Sequence, residues 1–506
     1  MKTYVAVYFG AALIAMILTP ILSRIAKARG IVDAPGVRKV HDRPIPRIGG
    51  LAILVATLSL VLGVLWLHNT VGAAFRQIRT HVLALLGAAV IMGLMGLVDD
   101  VRGLPARVKL AVQVLAAVAV CAFGIRIDEI GNGGIVSIKF GWLSWPVTVI
   151  WIVGITNAVN FIDGLDGLAS GIAAMACGAI ALFSLWSGQV VMAVLALALL
   201  GSLTGFLFFN FNPAKVFLGD GGTYFVGFTI AAASVLCAQK TAALVGLTLP
   251  VLALGVPIMD MLFSILRRVL ERRSIMSADR QHIHHRLLRM GLRQRHVVLL
   301  IYLVTLLTAG IGTCMLIAGK AAPVLALLGL GILLIVFRLV GAVRLRESIR
   351  IMYRNLVNAR EARQDRQRFE NAQLMMREAP SFDARWKAVC TMAEDMGFEQ
   401  VRLTSPSGRA AALNLLWRRA SQDEPHARLV SVTIPLTLPN RSESARLAVT
   451  FKPNGSLEAA GTRVALFGRL IDENFPKAEV AEDGGDEVNS LPLFPHLPTA
   501  TSSGTA

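Results

Sequence analysis

Charge is scarce in this sequence: Asp, Glu, Lys and Arg make up 16% of its 506 residues, where a soluble domain carries about a quarter. With 55% of residues hydrophobic, that shortage excludes a cytosolic enzyme of two or three domains. It equally excludes a chain disordered along most of its length. Cysteine is scarcer still. Of the five, Cys121, Cys177, Cys237 and Cys314 each sit inside an apolar run, and Cys390 lies in the polar tail. No pair has a metal-type spacing, so neither a disulfide frame nor a zinc module is encoded. What remains is an all-α polytopic membrane protein.

The charge that is present is uneven. Residues 1–343 hold 28 Lys+Arg against 12 Asp+Glu, and the rest of the chain holds 22 against 20. Nearly all of the net +18 therefore belongs to the apolar part, in loops between apolar runs. Nucleic acid is the ordinary partner of so basic a chain. This placement fits instead the positive-inside rule and an anionic partner at a membrane surface, with no nucleic acid.

Apolar stretches near the ~20 residues needed to cross a hydrocarbon core recur at 4–25, 48–67, 81–98, 107–124, 145–162, 167–186, 190–209, 221–238, 243–263, 298–317 and 322–341. They predict about eleven transmembrane helices. The first is preceded only by Lys2 and followed by Arg24, Lys27 and Arg29. That is the wrong polarity for a cleaved signal, so the N-terminus is expected outside. The basic segments 24–47 and 267–295 face the cytoplasm by the same rule. Alternation then places loops 99–107, 160–167 and 210–221 on that face too. Residues 125–142 fall outside, where a short hairpin is predicted to turn at Asn132-Gly133-Gly134.

Beyond the membrane part, 1–343, the sequence divides into a charged helical linker (344–380), a small α+β cytoplasmic C-terminal domain (381–476) and a disordered tail (477–506). The linker helix suits the membrane surface, pairing of two copies as a homodimer, or solvent.

Acidic side chains beside a bilayer are costly to keep, and six of those in the membrane part converge on one predicted face. Asp99 and Asp100 lie in GLVDDVRGLPARVKL, Asp163 and Asp166 in NAVNFIDGLDGLASG, Asp220 in NPAKVFLGDGGTYFVG, and Asp260 in VPIMD. Any one alone reads equally well as a helix cap or a topology-setting charge. Three acidic loops sharing a side with an Arg- and His-rich loop suit phosphoryl transfer between two anions. Opposed phosphates repel, so such a site needs a divalent cation and fixed positive groups. Asp and Asn oxygens suit Mg²⁺ (Mn²⁺ as the alternative), and the glycines beside Asp163, Asp166 and Asp220 let backbone amides approach a phosphate. In MSADRQHIHHRLLRMG, His282, His284 and His285 lack the spacing of a zinc helix. With the neighbouring arginines they read as an anion clamp or as a basic patch on anionic lipid.

These motifs (the DD pair, NxxNxxDGLDGLA, FxGDxG and HIHH, in that order) resemble those of the polyprenyl-phosphate N-acetylhexosamine-1-phosphate transferases over about residues 1–343. HIHH is similar to the undecaprenyl-phosphate GlcNAc-1-phosphate transferase branch. The resemblance implies a bacterial plasma (inner) membrane enzyme. It would transfer a sugar-1-phosphate from a UDP-N-acetylhexosamine to undecaprenyl phosphate, releasing UMP. It also implies Asp220 as the main Mg²⁺ ligand with Asn160 nearby. Asp99 would activate the lipid phosphate, with Asp100 beside it and Lys109 and Gln113 on the next helix. Asp166 and a stacked Phe217 would hold the uracil, and His282, His284, His285 and Arg286 the sugar diphosphate. Asn210 and Asp163 would line the same cleft. A phospho-MurNAc-pentapeptide translocase and a transporter with acidic sites are the alternatives.

Overall fold

Side-chain size decides which helix sits innermost. The computed structural model describes the chain except for residues 34–43, 132–136, 239–242, 272–273, 275–281, 316, 319–320, 342–344, 405–413, 420–428, 437–444, 453–456 and 475–506. The expected disordered tail and the tip of the expected hairpin fall outside the described residues. The chain divides into two units, Met1–Ile351 and Met352–Ala506.

The first unit runs α1 (Lys2–Ala28), β1 (Val32–Asp33), β2 (Ile45–Pro46), α2 (Gly49–Leu65), α3 (Thr70–Gln77), α4 (Arg79–Arg102) and α5 (Ala106–Ala122). It continues through β3 (Glu129–Gly131), β4 (Ser137–Lys139), α6 (Ser144–Phe161), α7 (Leu168–Trp186), α8 (Val190–Asn210) and α9 (Gly219–Ala238). It ends with α10 (Ala243–Ala253), α11 (Gly255–Leu270), α12 (Ile283–Arg289), α13 (Gln294–Cys314) and α14 (Ala322–Leu339). Among the described residues eight helices are long and apolar enough to cross a membrane, or nine if α10 and α11, bent by 80°, form one span. The protein is a polytopic membrane protein. The expected stretches at 48–67 and 107–124 form helices of 17 residues each. At 1.5 Å per residue these reach about 25 Å, short of a hydrocarbon core of roughly 30 Å.

α9 is the innermost helix: the whole of its apolar window is buried, against 22% for α1 and for α14. More than half of α9 is Gly, Ala, Ser or Thr, which lets neighbouring backbones close on it. A Cβ on Gly227 would stand 2.9 Å from Thr156 Cα of α6, and one on Gly96 of α4 would stand 2.4 Å from the Asp220 carbonyl oxygen. α8 meets α1 the same way, with Gly201 and Gly205 each lying 2.2 Å (from the Cβ position) off an α1 carbonyl oxygen. By contrast Phe9 and Leu13 on α1 and Val324 and Leu327 on α14 point outward.

Chain direction places the functional loops. α4 ends and α5 begins at one end of the bundle, and α5 leads away to the antiparallel pair β3–β4 (Ile130 opposite Ile138) at the other. α6 then returns, so that its last turn, the α6–α7 turn and the start of α9 share the end where α4 finished.

The second unit is an antiparallel sheet in the order β6-β5-β8-β7, formed by β5 (Phe398–Thr404), β6 (Asn414–Arg418), β7 (Val430–Leu436) and β8 (Ala445–Phe451). Helices α16 (Phe382–Asp395) and α17 (Leu457–Asn474) and the later turns of α15 (Leu345–Glu378) cover one face. Val401, Leu403, Leu447 and Val449 pack there against Met376, Val389, Phe467 and Leu470. Ser381 caps α16 by accepting from Ala384 N–H at 3.2 Å. Phe369, Ala372 and Met376 join this core, so the later part of the helix expected as a linker is packed into the small unit.

Candidate active site

Asp220 is held by the start of its own helix. Asp100 reaches across from α4 and accepts the backbone N–H groups of Asp220 and Gly221, at 3.0 Å each. A helix leaves its first N–H groups without intrahelical partners, and a carboxylate there also meets the positive end of the helix dipole. Gly219 has φ +74°, and a Cβ on it would stand 2.6 Å from Asp100 Oδ2; glycine is required twice over. Both oxygens of Asp100, expected beside Asp99 in the chemistry, are thus engaged in holding α9 against α4.

Asp99, one residue earlier, faces another way. It accepts Leu104 N–H at 2.6 Å and the Lys109 ammonium at 2.8 Å, and it is 8% exposed. Lys109 Nζ also lies 4.0 Å from Asp220 Oδ2. Asn160, at the end of α6, donates its Nδ2 to Asp220 Oδ1 and to Thr223 Oγ1, at 2.9 Å each. Four helices thereby join one chain of contacts: Asp99, Lys109, Asp220, Asn160. Gln113, one turn beyond Lys109, exchanges amide hydrogen bonds with Asn157 at 2.6 and 3.3 Å, which fixes α5 to α6 just beneath.

The α6–α7 turn carries Asp163 and Asp166. Asp163 has no side-chain hydrogen bond among the described residues. Burial pushes its carboxyl up to about 8, helped by the charges of Asp220 and Asp100 and opposed by Arg47. Asp166 Oδ2 accepts Asn212 Nδ2 at 2.9 Å and Ala214 N–H at 3.0 Å, holding the loop between α8 and α9. Asn212 in turn accepts from Arg295 Nε at 3.0 Å. Asn210 is 3% exposed; its oxygen accepts from Ser170 at 2.6 Å and its Nδ2 donates to the Val216 carbonyl at 2.9 Å. It is locked inside the protein rather than lining an open cleft. The Phe217 backbone bridges to β2, donating to the Pro46 carbonyl at 2.8 Å, and accepts from Gly49 N–H at 3.0 Å.

The histidine loop packs onto this turn. His282 lies 6.0 Å from the Phe161 ring, and His284 stacks parallel to it at 5.8 Å. A Cβ on Gly164 would stand 2.3 Å from His284 Nε2. His284 is 1% exposed, and neither ring nitrogen has a hydrogen-bond partner among the described residues. Burial, then His285 and His282, lower its pKa to about 3, so the ring stays neutral. His285 follows at 4.3 Å from His284. Arg286, expected at the sugar diphosphate, donates to the Gly341 carbonyl beyond α14. Asp260 on α11, one of the six acids expected on this face, has partners that the sequence did not reveal. Its two oxygens meet His282 Nδ1 and Ile283 N–H, both at 2.8 Å. The only signal was an acid near the end of an apolar run, opposite a histidine-rich loop.

In sequence, the chain is similar to known transferases. The family model for glycosyl transferase family 4 matches residues 82–238. A probable undecaprenyl-phosphate N-acetylglucosaminyl 1-phosphate transferase of Bacillus subtilis is 38% identical over 290 residues, covering 57% of this chain and 78% of that protein. The decaprenyl-phosphate N-acetylglucosaminephosphotransferase of Mycobacterium tuberculosis is 35% identical over 318 residues, 58% of this chain and 78% of its own. The chain belongs to the polyprenyl-phosphate N-acetylhexosamine-1-phosphate transferase superfamily. The undecaprenyl-phosphate alpha-N-acetylglucosaminyl 1-phosphate transferase of Escherichia coli is more distant, at 26% over 295 residues, with 57% and 77% covered. This member of the superfamily is therefore an enzyme, and the transporter alternative gives way.

Among the transferase's described residues no three His, Cys, Asp or Glu side chains converge to enclose a cation. The donor set still suits Mg²⁺, which takes one or two protein oxygens and otherwise keeps water and substrate phosphate. Asp99 and Asp220 present two carboxyl groups to one ammonium, that of Lys109, at 2.8 and 4.0 Å. Asn160, its Nδ2 turned to Asp220 and Thr223, leaves its Oδ1 without a partner among the described residues.

Proposed function

We propose that the enzyme transfers N-acetylhexosamine-1-phosphate, GlcNAc-1-phosphate first among them, from a UDP-sugar to undecaprenyl phosphate, releasing UMP. The observation that carries this is the junction of Asp99, Lys109, Asn160 and Asp220 from four helices at one end of the bundle. The names of the relatives support the sugar and the lipid class.

Each residue has a part in the proposed chemistry. Asp220 and Asn160 Oδ1 would hold Mg²⁺, which supplies positive charge against the diphosphate when bound. Lys109, fixed by Asp99, adds a second positive group where the two anionic substrates meet. Asp99 is engaged by Leu104 N–H and Lys109, so it orients the ammonium rather than forming a covalent intermediate. A lipid-phosphate oxygen attacks the β-phosphorus of the UDP-sugar in line as the bond to UMP breaks. The histidine loop on the α6–α7 turn receives the sugar diphosphate.

The topology follows the same reading: eleven crossings, with α2 and α5 as the short ones and α10–α11 as one broken span. The site opens to the cytoplasm of a bacterial inner membrane, the N-terminus lies outside, and the small α+β unit lies inside. The test is purified full-length protein with undecaprenyl phosphate, Mg²⁺ and a panel of UDP-sugars. UMP should form in step with a lipid-linked diphosphate sugar, fastest from UDP-GlcNAc. Turnover only with UDP-MurNAc-pentapeptide, or none with any donor, would overturn the proposal.

A further inference from the structure

We infer that Asp260 is a positioning residue for the transfer reaction, acting through His282: it fixes the ring so that Nε2 is the nitrogen left for the substrate. The inference rests on the reading of the histidine loop given above.

Three observations carry it. The Asp260 carboxylate is 4% exposed, and its two oxygens divide between His282 Nδ1 and Ile283 N–H at 2.8 Å each. A carboxylate can only accept, so Nδ1 must carry the proton, and in the neutral ring Nε2 keeps the lone pair. The Ile283 contact ties the same carboxylate to the start of α12, so ring and helix are set together. The second observation is that His282 Nε2 has no protein partner among the described residues. The third is the ring's place. It lies between Phe161, the residue after Asn160, and His284, which packs on Gly164 beside Asp163. The orientation Asp260 imposes therefore bears directly on the turn that holds the acids. A carboxylate behind a functional imidazole fixes tautomer and direction, and its loss ordinarily costs about 10- to 100-fold in function.

Asp260→Asn separates positioning from capping. Asparagine keeps an oxygen for Ile283 N–H but presents an N–H₂ to Nδ1, which forces the proton to Nε2. Full-length protein is assayed for UMP release from UDP-GlcNAc with undecaprenyl phosphate as wild type, His282→Ala, Asp260→Asn and the double variant. Asp260→Asn should lower kcat by about 10- to 100-fold with an unchanged thermal midpoint. The double variant should be no slower than His282→Ala alone. In ¹⁵N-histidine spectra, with His282 identified by its loss in His282→Ala, the wild type should show Nδ1–H and Asp260→Asn should show Nε2–H. No UMP from the wild type, or a full rate in His282→Ala, would bring down the reading of the loop, and this inference with it. A slow His282→Ala beside a fully active Asp260→Asn would overturn the inference alone. So would losses that multiply in the double variant, or an Nε2–H ring in the wild type.

Discussion

Two clusters at one end of the membrane unit use the same side chains to opposite ends. In the first, Asp99, Lys109, Asp220 and Asn160 leave a polar atom unanswered among the described residues and one ammonium shared between two carboxyl groups. In the second, Asn210 is bonded through both its amide oxygen and its Nδ2, and Asp166 Oδ2 takes two donors of one loop. Buried polar groups that are fully paired rigidify a fold, whereas a group left open to a ligand waits for one. Residue type does not separate structure from chemistry here; pairing does.

The contrast is sharpest at Asp220. Asp220→Asn keeps the backbone cap from Asp100 but removes the charge, and UMP release should fall by about a thousandfold or more at an unchanged thermal midpoint. Substantial turnover would put the chemistry elsewhere. Lys109→Met should follow, with a loss of about 100-fold, and Lys109→Arg should recover only part of it because the two carboxyl groups are spaced for a point charge. Steady-state kinetics on both variants would show this, and equal rates would break the link between Asp99 and Asp220. Asn210→Ala should behave in the reverse manner. It orphans the Val216 carbonyl and the Ser170 hydroxyl, lowering stability by about 1–3 kcal/mol while kcat of the folded fraction stays near wild type. Thermal unfolding beside activity would reveal any opposite pattern.

The smallest effect should come from His284. Its ring is held neutral down to about pH 3, whereas an exposed histidine protonates near 6.5. The unfolded chain therefore binds the proton first. The stability this residue contributes is complete above about pH 6.5 and is lost progressively as pH falls toward 3. Between about pH 6.5 and 4.5 the midpoint should fall more steeply in wild type than in His284→Gln; parallel slopes would show that the ring is protonated in the folded protein.

Much of this was legible from the chain alone. That the DD, NxxNxxDGLDGLA, FxGDxG and HIHH segments share a side of the membrane follows from apolar run lengths and loop charge, both local properties, and their order carries the family resemblance. What a carboxylate accepts from is not local. Asp99 and Asp100 are neighbours, yet the helix turns them about 100° apart. One meets Lys109, the other the amides of a helix 120 residues later. Arg286 was assigned by proximity to histidines, but its reach to Gly341 depends on where α14 ends. The two 17-residue helices looked longer in sequence because flanking apolar residues continued the run past the last helical turn.

The enclosure of α9 has a practical consequence. A helix with no outward side offers no foothold for a probe. A cysteine introduced along its buried length would be shielded from a thiol reagent, whereas one at Phe9 or Leu327 would lie on the outer surface of the bundle. Spin labels or fluorophores meant to report on the centre of this enzyme must therefore be attached to its neighbours and read their target at a distance.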